Sequence, residues 1–303
     1  MKILIIGGTG HVGSHLTPLL LSQGHDVFLA TRGNKRIDHS IFAGANLITC
    51  DARDEKSLSE ISEKYAFDVV IDFPGTGFAT WNAFQNKVSQ IIVCGSLWMF
   101  GRPNTVPTPE KTQSACPFPN YAVRYEQIQE MLQQSGKEKA VFTAVMPPNI
   151  CGPGKIPLDT MGGRSIDVHR ANVRGETVYL PDGPQALIAP CDASDLASLF
   201  ALAVGNPNAA GQVFNGGPAY ALSATEFVKT YGKIYETEIP ITYVPWEEYQ
   251  SKINPSMGAW WHFYSDMCPD ISKARKLLGY EPRYTPEQAM ARAVAWMRQQ
   301  KLL

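Results

Sequence analysis

The chain lacks the features of a membrane protein and of a disulfide-rich secreted protein. Its apolar runs stop well short of the roughly 18 to 20 residues that a membrane-spanning helix needs, so neither export nor membrane insertion is expected. The six cysteines lie far apart and form no C-x-x-C pair, which excludes a zinc knuckle and a disulfide framework. We therefore expect reduced thiols and a cytoplasmic location.

The sequence also lacks an excess of charge of one sign. The formal net charge is -1, and lysine and arginine are scattered without a dominant basic block. Proteins that bind nucleic acid or an anionic membrane surface usually carry a clustered basic footprint. The expected partner is therefore a small-molecule substrate rather than nucleic acid or membrane, and the sequence leaves a homodimer open.

Short β-branched runs alternate with helical patterns through the first half of the chain. Six runs are apolar on both faces, as buried parallel strands are: KILII (2–6), DVFLAT (26–31), NLITC (46–50), DVVIDF (68–73), QIIVCG (90–95) and AVFTAVM (140–146). Apolar residues at helical spacing mark the segments around 12–23, 54–64, 79–88 and 121–134. This alternation predicts an α/β protein with a doubly wound parallel sheet, the Rossmann fold.

The second half is less regular and begins with a proline- and glycine-rich stretch after Met146. Helices are predicted near 164–174, 193–204, 223–235, 271–278 and 286–300, and short strands near 177–180, 186–189 and 212–215. We assign residues 1–146 and about 184–215 to a dinucleotide-binding domain. Residues 147–183 and 216–303 are assigned to a smaller, mixed C-terminal part that binds substrate.

The glycine-rich sequence GGTGHVG, residues 7–13, lies directly between the first strand and the first helix. Glycines there allow a tight turn, a close approach to a pyrophosphate and close helix packing, while the helix N-terminus offers free N–H groups to the phosphates. The predicted cofactor-binding residues are Gly7, Gly8, Thr9, Gly10, His11, Val12 and Gly13; the alternative is a structural turn. His11 and His15 are four residues apart, but no third ligand is evident, so no metal site is predicted.

The residues after the second strand indicate which dinucleotide binds. An NAD site usually has an acidic residue there for the adenosine ribose, whereas an NADP site supplies a cation for the 2′-phosphate. Here the segment is Thr31-Arg32-Gly33-Asn34-Lys35-Arg36, which favours NADP. The alternative is that these are solvated loop charges and that the cofactor is NAD. Asp51 and Ala52, after the third strand, are predicted to meet the adenine ring.

Further motifs follow in order along the chain: IIVCGSLWMFG (91–101), a helix that opens at Tyr121, MPPNICGPG (146–154), CDASDLA (191–197), QVFNGG (212–217) and DISKARKLLGYEPRYTPEQAM (270–290). Together with GGTGHVG and the Asp51 turn, they resemble the extended short-chain dehydrogenase/reductase family, the NAD(P)-dependent epimerases and dehydratases. The resemblance covers nearly the whole chain. It implies an NAD(P)-dependent oxidoreductase with a small polar or sugar-derived substrate, and cofactor contacts at Phe73, Pro74, Gly75, Pro147, Asn149 and Ile150.

The same resemblance implies a catalytic set. Ser96, five residues before Gly101, corresponds to the serine that holds the substrate oxygen, and Tyr121 corresponds to the acid/base tyrosine. The family has lysine four residues later, where it binds the nicotinamide ribose and lowers the tyrosine pKa by its charge. Here Tyr125 gives an atypical Tyr-x-x-x-Tyr. Tyr125 is expected to hydrogen-bond the nicotinamide ribose in place of the lysine but cannot supply its charge, for which Arg124 and the oxidised cofactor are the two candidates.

This substitution bears on the direction of the reaction. An ordinary tyrosine, with a pKa near 10, is ionised in only about one molecule in a thousand at pH 7. A reductase needs a proton donor rather than a base, so we favour carbonyl reduction, or a slow and specialised redox step, over rapid sugar epimerisation. The alternative is a non-catalytic NAD(P)-binding protein, regulatory or structural, with a degenerate active site.

The substrate pocket is less well defined by the sequence. Asn149 is expected to meet both nicotinamide and substrate, but the arginines usual before its turn and after Asp182-Gly183 are missing, which weighs against a UDP-sugar diphosphate. Trp81 and Trp98 follow strands four and five and are candidates to contact substrate. The aromatic segment GAWWHFY, residues 258–264, either lines the pocket or packs between the two halves, and His262 is either a second proton-transfer group or structural.

Overall fold

The computed structural model describes residues 1–33 and 40–303. Within these residues the strands are β1 Lys2–Ile6, β2 Asp26–Thr31, β3 Asn46–Thr49, β4 Val69–Asp72, β5 Gln90–Cys94, β6 Val141–Met146, β7 Asn149–Cys151, β8 Val178–Pro181, β9 Leu187–Ile188, β10 Pro190–Asp192, β11 Gln212–Asn215, β12 Leu222–Ser223 and β13 Ile241–Val244. The α-helices are α1 Gly13–Ser22, α2 Glu55–Lys64, α3 Gly77–Phe84, α4 Pro119–Gln134, α5 Ile166–Val173, α6 Ala193–Ala203, α7 Ala224–Tyr235, α8 Trp246–Glu248, α9 Met257–Trp260, α10 Ser272–Leu278 and α11 Pro286–Gln299.

Seven of the described strands form one sheet, in the order β11-β6-β5-β4-β1-β2-β3. Every neighbouring pair in this sheet runs parallel. The chain winds in one direction from β1 through β3 and in the other from β4 onwards, so β1 and β4 meet where the strand order reverses. Ligands of open α/β sheets bind at the carboxyl ends of strands at such a switch point. The predicted doubly wound Rossmann sheet is confirmed.

Helices cover both faces of this sheet because alternate side chains of each strand point to opposite faces. Ile3 and Ile5 pack in one core with α1 and α6. Leu4 and Ile6 pack in a second core with α2, α3 and α4. Each fully buried side chain of this size contributes about 1.5–3 kcal/mol, so the two layers hold the strand ends of the site rigidly in place.

The described strands outside the seven-stranded sheet pair in twos: β7 with β10 and β8 with β13 in parallel, and β9 with β12 antiparallel. A third core lies between α7 and α11 and includes Phe227, Tyr231 and Met290. Helix α10 instead packs Ala274 and Leu278 into the core that contains Ile3. The division into two domains at the stated boundaries stays a prediction.

Local signals explain where the helices around the site begin. Pro119 occupies the first turn of α4, where its missing N–H needs no partner. The carboxylate of Asp192 accepts a hydrogen bond from Ser194 N at the start of α6. Thr285 and Gln288 form a capping box at the start of α11, which satisfies two free N–H groups. Across the described ranges, no helix has both the length and the apolar character to cross a bilayer.

Candidate active site

The glycine-rich turn joins β1 to α1 through a tight bend. Gly7 has φ +75°, and its carbonyl accepts a hydrogen bond of 2.9 Å from Gly10 N. A Cβ on Gly13 would collide with the carbonyl of Gly8, so any larger residue at position 13 would push the helix away from the turn. No side chain caps the N-terminus of α1. Its free N–H groups can therefore receive the phosphates of a dinucleotide.

A groove of about 470 Å³ runs from this turn across the carboxyl ends of β1, β2, β3 and β4. Most of the predicted cofactor residues line it: Gly7, Thr9, Gly10, His11, Val12, Gly13, Thr31, Arg32, Asp51, Ala52, Phe73, Pro74 and Ile150. The groove is also lined by residues that sequence reasoning missed: Ile6, Ala30, Cys50, Arg53, Thr76 and Cys94. Gly8, Gly75, Pro147 and Asn149 lie outside its lining.

One end of the groove carries two arginines. Arg32 follows β2, and Arg53 follows Asp51 after β3. Arg53 holds Asp51 through its Nη2 at 2.6 Å and its Nε at 3.0 Å. These hydrogen bonds, with a smaller contribution from Arg32, lower the pKa of Asp51 to about 2. Lys35 and Arg36, which the sequence offered as further cations, lie outside the described residues.

The other end of the groove lies where β5 ends, beside the N-terminal half of α4. Arg124 Nη2 donates to the carbonyl of Cys94 at 3.2 Å, and its guanidinium carbon is 5.6 Å from the ring centroid of Tyr121. The guanidinium fills the space over Gly75, which has φ +87°, so that a Cβ at position 75 would collide with it. Tyr121 and Arg124 thus lie together, as their spacing on one helix predicted.

Tyr125 faces a different part of the structure. Its ring packs edge-on against Phe100, with centroids 5.6 Å apart, and its hydroxyl accepts a hydrogen bond of 3.2 Å from Thr112 Oγ1. Among the described residues it lies outside the groove lining, and so do Ser96, Trp98, Tyr121 and Arg124. Tyr125, at the family's lysine position, therefore contacts the loop before α4.

Ser96 and Trp98 lie just beyond β5. Ser96 Oγ accepts the backbone N–H of Trp98 at 3.3 Å and so caps the 3₁₀ turn Leu97–Phe100. The indole of Trp98 stacks on Phe118 at 4.7 Å and meets Tyr121 edge-on at 5.8 Å. Trp98 therefore lies against Tyr121, and its predicted contact with substrate stays a prediction.

The predicted substrate contact at Trp81 is wrong. Trp81 is 1% exposed and packs edge-on against Phe142 in the core. Its indole N–H donates to Gln134 Oε1 at the C-terminal end of α4. Position 81 lies in the middle of α3 and on the face that packs against the sheet, so its side chain is directed inwards, away from the carboxyl ends of the strands.

Asn149 and the segment after α9 meet behind Trp98. Asn149 is buried, its Nδ2 lies 2.9 Å from His262 Nδ1, and its Oδ1 accepts Ala189 N at 3.3 Å. The amide is thus already used within the protein. The ring of His262 lies 4.8 Å from that of Trp98, and Trp261 packs edge-on against Phe118 at 5.5 Å. Burial, with a smaller effect of Arg164, lowers the pKa of His262 to about 3.

The two histidines of the first turn and helix bind a carbonyl rather than each other. Nε2 of His11 lies 2.9 Å and Nε2 of His15 lies 3.1 Å from the carbonyl oxygen of Pro153. Burial, followed by the charge of Arg164, lowers the pKa of His11 to about 4. Both side chains therefore connect the glycine-rich turn and α1 to the loop after β7.

Comparisons with known proteins give the same assignment. The model of the NAD dependent epimerase/dehydratase family matches residues 3–86 and 81–217. The chain is 26% identical over 300 residues to the chloroplast stem-loop binding protein of 41 kDa b of Arabidopsis thaliana, covering 93% of this chain and 75% of that protein. It is 24% identical over 327 residues to a UDP-glucose 4-epimerase of Lacticaseibacillus casei, covering 94% and 92%.

Solved structures share the fold over the full length. A UDP-glucose 4-epimerase from Thermotoga maritima with UDP-glucose has a TM-score of 0.79 at 18% identity and covers 99% of this chain and 100% of its own. The enzyme from Bifidobacterium longum, in complex with NAD+ and UDP, has a TM-score of 0.77 at 18% identity and covers 100% and 99%. With its family motifs and the matched range, this chain belongs to the NAD dependent epimerase/dehydratase family, within the extended short-chain dehydrogenases/reductases.

Proposed function

We propose that the protein is an NADP-preferring oxidoreductase that reduces a carbonyl group of a small polar substrate. The observation that carries this proposal is the position of Arg124, whose guanidinium lies beside the Tyr121 ring and on the carbonyl of Cys94, a residue of the groove lining. A fixed positive charge thus accompanies the tyrosine although the lysine is missing. The cytoplasmic location and the homodimer stay predictions.

The residues of the groove suit a nicotinamide dinucleotide. The uncapped N-terminus of α1 and the tight glycine turn would hold the pyrophosphate. Arg32 at the other end would donate hydrogen bonds to a 2′-phosphate, which is our reason for preferring NADP to NAD. When bound, the reduced cofactor supplies hydride to the substrate carbon.

The side chains of this protein then handle the proton. Tyr121 Oη has no hydrogen-bond partner among the described residues, so it can donate its proton to the substrate oxygen. Arg124 stabilises the negative charge left on the tyrosine, because opposite charges at this separation attract. Ser96 accepts the Trp98 N–H and keeps its own O–H, which can donate to the same substrate oxygen.

A non-catalytic NAD(P)-binding protein is the second candidate. It is favoured by Tyr125, which occupies the lysine position and is bonded to Thr112. A relative of this chain is named a stem-loop binding protein, but the formal charge of -1 here offers little attraction to a phosphate backbone.

Cofactor binding and turnover separate the two candidates. The protein is mixed with NADPH or NADH, with and without a panel of carbonyl compounds, and the absorbance of the reduced nicotinamide is followed. We expect consumption of NADPH with at least one carbonyl compound. Tight binding of NADPH with no consumption across the panel would contradict the enzyme and favour the second candidate.

Arg32→Ala tests the cofactor preference separately. Loss of a charge-assisted hydrogen bond is worth about 1.5–3 kcal/mol, so NADPH should bind roughly 10- to 100-fold more weakly while NADH changes little. Binding is measured from the fluorescence of the reduced nicotinamide. Equal weakening of both cofactors would overturn the NADP preference.

A further inference from the structure

An aromatic cluster surrounds the proposed proton donor. It consists of Trp98, Phe118, Tyr121, Trp261 and His262, joined by ring contacts between 4.7 and 6.1 Å. Within it, Trp98 contacts Phe118, Tyr121 and His262. Nothing in the proton transfer proposed above uses the side-chain nitrogens of Trp98 or His262.

Hydrogen bonds fix which nitrogen of His262 carries the proton. Ala189 N donates to Asn149 Oδ1, so the other end of the amide, Nδ2, faces His262 Nδ1 as a donor. Nδ1 must therefore accept, and the neutral ring carries its proton on Nε2. In the described part of the structure this Nε2–H has no partner.

Two further donors of the cluster lack an acceptor. The indole Nε1–H of Trp98 is buried without a hydrogen-bond partner among the described residues, and the hydroxyl of Tyr121 is also free. A buried donor without an acceptor costs about 1–3 kcal/mol. A ligand oxygen would satisfy it. The rings that carry the other two donors lie against Trp98, with centroid distances of 5.8 Å for Tyr121 and 4.8 Å for His262.

The charge around these donors limits the ligand. The cluster itself contains no carboxylate, lysine or arginine apart from the neighbouring Arg124. Arg164, the cation whose charge acts on His262, donates to the carbonyls of Ile150 and Ile156. Neutral donors among flat rings favour an uncharged, oxygen-bearing ligand with an apolar face over a diphosphate.

We propose that Trp98 Nε1 and His262 Nε2 bind a second oxygen of the substrate, next to the carbonyl that Tyr121 protonates. The substrate class is then a neutral carbonyl compound with a flat apolar face and an adjacent hydroxyl or carbonyl oxygen. Trp98 and His262 select for that second oxygen. This proposal rests on the proposed function, since it assumes that Tyr121 faces the reacting carbonyl.

Two ligands that differ by one hydroxyl test the selection. Dissociation constants of 2-hydroxyacetophenone and acetophenone are measured by saturation-transfer NMR with NADP+ bound, so that ketone reduction is not needed for the readout. We expect the hydroxylated ketone to bind about three- to tenfold more tightly, the range of one or two neutral hydrogen bonds. Trp98→Phe and His262→Phe keep the aromatic contacts and should bring this ratio towards one.

Trp261→Phe is the matched control, because it removes an indole N–H from the next ring of the cluster and should leave the ratio unchanged. Trp98→Phe removes an N–H group that has no protein partner, so this variant is expected to fold. His262→Phe leaves Asn149 Nδ2 unpaired and could fail to fold, but the test does not depend on it. Equal affinities in the wild type, or a ratio unaffected by Trp98→Phe, would refute the proposal. Failure of the proposed function would appear instead as absent NADPH consumption, with or without this selectivity.

Discussion

Arg124 and Tyr125 are adjacent in sequence but face different surroundings. Arg124 points back across α4 towards Tyr121 and the end of β5, whereas Tyr125 packs on Phe100 and Thr112. Successive residues of a helix are about 100° apart around its axis, so a single step along the chain moves a side chain from the end of β5 to the loop before α4. The charge beside Tyr121 is therefore retained although the family's lysine position is not.

Tyr121→Phe removes the proposed proton donor and little else. Because its hydroxyl has no protein partner in the described residues, folding and NADPH binding should be unchanged. General acid catalysis typically contributes 10²–10⁴-fold, so kcat for NADPH-dependent reduction should fall by roughly that factor. Tyr125→Phe is the control and should retain most activity. Equal activities of the wild type and the Tyr121 variant would remove the tyrosine from the mechanism.

Arg124→Met and Arg124→Lys test the charge beside the tyrosine. Proton donation to the substrate leaves negative charge on the Tyr121 oxygen, and a nearby cation stabilises that charge. With methionine, kcat for NADPH-dependent reduction should fall about tenfold or more, since each 1.4 kcal/mol of lost charge stabilisation corresponds to about a factor of ten. Lysine should restore most of the wild-type rate. Equal kcat values for all three proteins would show that Arg124 is only a packing residue.

Residues fixed by local spacing could be predicted from the sequence, and those fixed by tertiary contacts could not. The glycine turn, Arg32 and Asp51 each follow a strand directly, so the parallel sheet places them along one groove. The approach of His262 and Asn149 joins positions 113 residues apart, and no pattern in the sequence indicates it. Trp81 was misplaced because proximity to a strand end was applied to a residue whose helix face points to the core.

At the scale of secondary structure, the helix that closes the C-terminal part is tied to the helix that follows β10. Arg292 of α11 donates from Nε to Asp192 Oδ2 at 2.9 Å, and Asp192 also caps α6. The carboxylate of Asp192 is fully buried. The buried carboxylate of Asp192 thus positions two helices. It lies next to Gly152, in the loop after β7 to which His11 and His15 are bonded.

Arg292→Met should therefore destabilise the protein. Removing one partner of a buried ion pair leaves an uncompensated charge and costs about 3–5 kcal/mol; since Arg292 is 35% exposed, we expect a value near 3 kcal/mol. Urea unfolding measures the loss. Arg275→Met, which breaks the exposed pair with Glu281, is the matched control and should cost less than about 1 kcal/mol. A loss of less than about 1 kcal/mol for Arg292→Met would mean that this pair stabilises the protein no more than an exposed ion pair does.

Element boundaries were predictable wherever apolar periodicity and capping residues coincide. The strand at 212–215 and the helix at 272–278 match the prediction to within one residue. Helix α3 ends at Phe84, four residues before the predicted end, because the chain turns after Phe84 to enter β5 through Gln85 and Lys87. The pairing of the short strands β7 to β10 and β9 to β12 was not predictable, since two- and three-residue strands carry no periodic signal.

At the scale of the whole molecule, three neutral histidines make stability depend on pH. Burial is the main cause that lowers the pKa of His262 to about 3 and of His11 to about 4, and it also lowers the pKa of His169. In the unfolded chain their pKa returns to about 6.5. Below pH 6.5 the unfolded state therefore binds more protons than the folded state, and stability falls as the pH falls towards 4.

The slope is about 1.4 kcal/mol per pH unit for each histidine that is fully neutral in the fold; His11 is partly exposed and contributes less. Asp72, Glu110 and Asp195 act in the opposite sense, because burial raises the pKa of each carboxyl and protonation relieves that cost. In the unfolded chain histidines titrate near pH 6.5 and carboxyls near pH 4, so the histidines dominate between pH 7.5 and pH 5.5 and the urea midpoint should fall over this range. His169→Gln keeps a hydrogen-bond partner for Tyr235 and Pro157. It should reduce the pH dependence of the unfolding free energy by about the contribution of one histidine. An unchanged wild-type midpoint over this range would mean that the three histidines take up protons in the folded protein. Nδ1 of His262 would then no longer be a neutral acceptor, and the proposed substrate contact, which depends on it, would be lost.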